Sequence, residues 1–93
     1  MTFEESEVIY THCGDVLAAA RARFLSAYEA LKNAGLHVDI DRVYSKQEVE
    51  INLNYEAALY AFGVAIMSER KARDQWVECM NGDHGNERQY ANN

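Results

Sequence analysis

Proline is absent from this chain of 93 residues, which excludes polyproline segments and stiff linkers and leaves helices free to run without interruption. Cysteine is scarce: Cys13 and Cys79 are the only two, fewer than a bridge-dependent secreted domain uses, so both are expected as free thiols packed inside a cytoplasmic protein. Large aliphatic and phenyl side chains are few as well. Leu, Ile, Val and Phe together number 20, against 13 Ala, near the lower edge for a globular chain. Positive charge is in deficit, with 9 basic against 15 acidic residues and a net charge of −6. That balance argues against a protein that holds duplex DNA by neutralising phosphates, and direct nucleic-acid binding is not expected. The most apolar stretch, residues 57–67, is far too short to cross a bilayer, so no membrane role is expected. Residues 1–7 carry three Glu and no basic residue, unlike a secretory leader.

What is present is helical punctuation. Thr2-Phe3-Glu4-Glu5 and Ser45-Lys46-Gln47-Glu48 both fit the capping box, in which a hydroxyl accepts from the third backbone N–H and a carboxylate reaches back to the cap's own N–H. Asn33-Ala34-Gly35-Leu36 and Asn81-Gly82 are matching stop signals, since glycine takes the left-handed conformation that closes a helix. These signals predict helices over about residues 3–34 and 46–80, a helical domain over 1–82 and a polar C-terminal tail over 83–93. Gly14 followed by Asp15 is a candidate for a break in the first helix. Residues 36–53 contain strand-like alternation, which makes a small β-hairpin the runner-up there.

Periodicity points the same way. Tyr10, Leu17, Phe24 and Leu31 recur every seven residues, followed three positions later by Cys13, Ala20, Ala27 and Ala34. In the second segment Tyr55, Phe62, Glu69 and Trp76 form one row, and Ile51, Ala58, Ala65, Ala72 and Cys79 form its partner. Bulky and small residues alternating at heptad spacing let two helices approach closely. The expected fold is therefore all-α: a long antiparallel helical hairpin. A second stripe on the later helix, with Leu53, Tyr60, Val64 and Met67 as its large members, cannot be covered by the same neighbour. It predicts an oligomer interface and self-association into a dimer of four-helix-bundle type.

Chemistry-bearing constellations are weak. His12-Cys13-x-Asp15 and Cys79-x-x-x-Asp83-His84 lack the paired short spacings of a zinc site, and adjacent His12 and Cys13 point to different helix faces. There is no Glu-x-x-His for a carboxylate-bridged di-iron bundle. Glu48, Glu50 and Glu56 do not repeat at the three- or four-residue spacing that would hold Mg²⁺, and no glycine-rich phosphate loop occurs. Gly63 stands alone within the second helix, where its use would be to admit a close neighbour. No catalytic residue, metal ligand or cofactor is assigned, and the chain is expected not to be an enzyme.

Charge is more telling. Glu4, Glu5 and Glu7 open the first helix, where carboxylates suit the positive end of its dipole, and an antiparallel hairpin brings them near Arg70, Lys71 and Arg73. Trp76 beside those cations offers a surface on which a base could stack. At the turn end Asp39, Asp41, Glu48, Glu50 and Glu56 gather with Tyr44, relieved by Arg42 and Lys46. The functional expectation is a non-catalytic acidic binding protein. These residues would dock on a larger protein partner, at a basic groove that otherwise receives nucleic acid, and inhibit or modulate it. The alternative is a helical bundle binding a small ligand or nucleotide between subunits, with Arg21, Arg23 or Arg70 and tyrosines as its polar groups.

Overall fold

Thr2 stands in extended backbone and its Oγ1 accepts from the Glu5 N–H at 3.1 Å, satisfying one of the donors a helix start leaves open. From that cap α1 runs Phe3–Asn33. The computed structural model describes residues 1–36 and 43–92. The expected break is not there: α1 passes through Gly14 and Asp15 as continuous helix. Among the described residues only Gly35 has a positive φ, of 73°. A glycine in helical conformation weakens a helix without ending it; the chain stops where the backbone actually turns left-handed.

That turn is a Schellman motif. The Leu36 N–H donates to the Leu31 carbonyl at 3.0 Å and the Gly35 N–H to that of Lys32 at 2.9 Å. Leu31 and Leu36 are both buried, the apolar pairing that commonly closes this motif. The chain re-enters helix at Ser45 through a complete capping box. The Glu48 N–H donates to Ser45 Oγ at 3.2 Å, and the Ser45 N–H donates to Glu48 Oε1 at 2.9 Å.

From there α2 runs Lys46–Asn92. Two expectations are corrected by its extent. Residues 46–53 are helix, so the alternation of Val49, Ile51 and Leu53 is not a strand; residues 37–42 of that runner-up lie outside the described residues. The helix also continues past Asn81-Gly82 into what was expected as a polar tail. Gly82 keeps a negative φ, so the stop signal is present without the left-handed turn that would make it act.

The two helices lie antiparallel, giving a rod of 66 × 23 × 15 Å. The packed seam follows the heptad rows. In α1 the covered positions are Phe3, Ser6, Tyr10, Cys13, Leu17, Ala20, Phe24, Ala27 and Leu31, with Gly14 beside them. In α2 Ile51, Tyr55, Ala58, Phe62, Ala65, Glu69, Ala72, Trp76 and Cys79 face them. Rings mark the register at both ends. Trp76 packs on Phe3 and Tyr10, with centroids 5.9 and 5.4 Å apart. Phe24 packs on Tyr55 and Phe62 at 5.7 and 5.2 Å, and Tyr28 closes on Tyr55 at 6.2 Å. Such pairs add about 0.5–1.5 kcal/mol each beyond the area they cover.

This core is thin. Its fully buried apolar members are mostly alanines (Ala27, Ala58, Ala65 and Ala72), and the largest side chain with essentially no exposure is Ser6. The Ser6 hydroxyl donates to the Phe3 carbonyl at 2.7 Å, which satisfies it inside the first turn. Both cysteines are free and half-buried. Cys79 donates weakly from Sγ to the Met1 carbonyl at 3.7 Å, tying the chain start to α2.

Candidate protein-interaction surface

A two-helix rod has one inside, and everything that meets another molecule is on its outer faces. A row of uncovered apolar side chains runs along α2. Leu53, Tyr60 and Met67 follow one another at seven-residue spacing with 59%, 76% and 72% of their surface exposed, and Ala57 and Val64 lie between them. On a helical wheel this row is turned roughly 150° from the seam, so it faces almost directly away from α1. It is about 21 Å long. Continued at the same spacing, the row ends in Lys46 and Glu50 on one side and Lys71 and Asp74 on the other, all exposed. Outer heptad positions of a stable hairpin are ordinarily polar, and a continuous apolar stripe there marks a contact surface.

Gly63 lies one turn along from Tyr60 at the edge of this stripe. A Cβ built on it would meet nothing within 4 Å, so no neighbour among the described residues explains it. A glycine in mid-helix costs about 0.5–1 kcal/mol relative to alanine.

The acidic residues expected to bind a partner divide. Glu50 and Glu56 are exposed on the outer half of α2. Glu48 is half-buried with its carboxylate on the Ser45 N–H, and Tyr44 is half-buried and engaged by other groups. Asp39 and Asp41 lie outside the described residues. At the far end Glu4, Glu5 and Glu7 are exposed, as are Arg70, Lys71 and Arg73.

Trp76 is not available for base stacking. Its ring lies in the seam between Phe3 and Tyr10, and its Nε1 is buried without a hydrogen-bond partner. The basic segment therefore lacks the free ring a single-strand binder would use. Nor does the structure gather the arginines considered for a ligand site. Arg21 and Arg23 sit on opposite shoulders of the α1 seam and Arg70 on the outer half of α2, each exposed.

His12 is exposed and Cys13 faces the seam, as their adjacency requires. His12 shares a shallow outer groove with Glu7, Val8, Thr11 and Asp15. Among the described residues no three His, Cys, Asp or Glu side chains converge on a point that could hold a metal ion, and no helix is long and apolar enough to cross a membrane. Two features escaped the sequence reading. The seam begins at Phe3 and Ser6, one heptad earlier than the rows suggested, and the signal for it was the same spacing continued backwards. The second is the charge at both ends of the outer stripe.

The described residues thus form an all-helical antiparallel hairpin with a heptad seam and a bare apolar stripe on α2. The sequence matches no known protein-family model, and neither a curated protein nor a solved structure is detectably similar to it.

Proposed function

We propose that this protein is a non-catalytic acidic binding protein that docks on a larger macromolecular partner and modulates it by occupying a basic surface. The observation that carries this reading is the exposed pair Glu50 and Glu56, on a stretch of α2 where Lys46 is the one counter-charge. The acidic residues of the turn end adjoin them in sequence, and the packed seam beneath holds this surface on a stiff rod. Carboxylates held on a rigid element lose little freedom on docking. They give charge complementarity that speeds encounter and selects the partner. A basic groove that normally receives nucleic acid is the chemistry they match.

The test reverses charge away from the helix cap and the apolar row. Glu48 is left alone because it caps α2, and Glu50 because it ends the apolar row. A triple variant, Asp39→Lys, Asp41→Lys and Glu56→Lys, is compared with the unaltered chain as bait in native lysate. A partner retained by the unaltered chain should be released by rising salt and by a competing duplex oligonucleotide. It should be lost from the variant, whose helical circular dichroism is unchanged. Equal retention by both baits, insensitive to salt and competitor, overturns the reading.

A further inference from the structure

We propose that a second copy of this chain covers the outer face of α2, the two α2 helices packing antiparallel about a twofold axis that passes beside Tyr60. The row on that face reads Lys46, Glu50, Leu53, Ala57, Tyr60, Val64, Met67, Lys71, Asp74, with spacings of alternately four and three residues. Reversed and laid on itself with Tyr60 on Tyr60, it is self-complementary. Leu53 meets Met67 and Ala57 meets Val64. Beyond this apolar centre Glu50 meets Lys71, and Lys46 meets Asp74. A twofold interface demands this property, since each patch must be its own complement.

Charge fixes both direction and register. Packed in parallel, the same row sets Glu50 against Glu50 and Lys71 against Lys71. Slid by one heptad, it sets Leu53 against Asp74 and Ala57 against Lys71, so apolar surface meets charge. The antiparallel register centred on Tyr60 avoids both conflicts. Gly63 acquires a use in it: one turn from the axis, its missing side chain leaves room for the tyrosine ring of the second copy.

Surface area leaves room for a cover of this kind. The chain exposes 7120 Å², against about 5,500 Å² for a compact monomer of its mass. A standard interface removes about 800 Å² from each partner, well within that excess. Because the stripe faces almost directly away from the seam, the four helices form a row, α1–α2–α2–α1, rather than the square section of a four-helix bundle. This assembly takes up Glu50 but leaves Glu56 exposed for the partner reading above, and its failure would leave that reading in place.

Sedimentation equilibrium and cysteine cross-linking test it together, in a Cys13→Ser, Cys79→Ser background with helicity checked by circular dichroism. The expected mass is twice 10.6 kDa at micromolar concentration. Tyr60→Cys should cross-link to itself under mild oxidation. Leu53→Cys alone should not, but should cross-link to Met67→Cys when the two variants are mixed. Glu50→Lys should weaken association at least tenfold, and adding Lys71→Glu to the same chain should restore it. A monomer at all concentrations overturns the proposal, leaving the face to a different chain. A dimer in which Leu53→Cys joins itself, or in which the double charge swap fails to restore association, overturns the antiparallel register.

Discussion

The two faces of α2 are built from nearly the same materials and meet different fates. The inner face sets Tyr55, Phe62 and Trp76 among Ala58, Ala65 and Ala72, and α1 covers it. The outer face sets Leu53, Tyr60 and Met67 among Ala57 and Val64, and none of the described residues covers it. Both are heptad stripes. The difference lies in α1, which has one such row and can satisfy one stripe. A helix with two apolar faces and a partner with one is therefore an incomplete core. That agrees with the interior, where among the described residues the buried apolar side chains are alanines apart from Leu31 and Leu36.

The comparison breaks first on the inner face. Phe62→Ala removes the ring that meets Phe24 and should lower stability by about 3–5 kcal/mol, enough to unfold much of the population in thermal or urea melts read by circular dichroism. Next is Glu69, a carboxylate at a half-buried seam position between Phe62 and Trp76 in its row. Glu69→Leu should raise the melting temperature, by the equivalent of about 1 kcal/mol, because an apolar side chain suits that position better than a charge. On the outer face signs change with concentration. In dilute solution Gly63→Ala should stabilise the single hairpin by about 0.5–1 kcal/mol, whereas at high concentration the same change should weaken self-association. Met67→Gln should leave dilute stability within about 0.5 kcal/mol while reducing association. A large loss from that substitution in dilute solution would mean that the outer stripe is packed within the chain after all.

Much of the architecture was legible because two independent signals agreed. The capping box at Ser45 and the Asn33-Ala34-Gly35-Leu36 stop fixed the ends of the turn, and the four-and-three spacing fixed the faces. Gly14 and Gly82 misled for one reason. Glycine permits a left-handed turn and does not compel it, and only Gly35 has the following backbone bonds that lock it. The candidate site was less legible. Glu48 fits both a helix cap and a partner-binding carboxylate in the sequence, and its oxygen is on the Ser45 N–H. Trp76 stands beside cations in the sequence and in the same row as Tyr55 and Phe62, and the row is what decides its place. The charges ending the outer stripe were missed because a single copy gives them no mutual relation; they align only when the row is laid against its own reverse.

The ring ladder also sets an order of assembly. Phe24 and Tyr55 lie nearer the connection between the helices, whereas Phe3 and Trp76 are more than twice as far apart along the chain. Each doubling of the loop to be closed adds about 0.6 kcal/mol of entropy. Zipping from the turn outward is therefore the cheapest route, and the open end is the last to form and the first to fray. The lone indole sits at that end. In stopped-flow refolding its fluorescence is expected to lag the helical signal, and simultaneous traces would show that the rod does not close in this order.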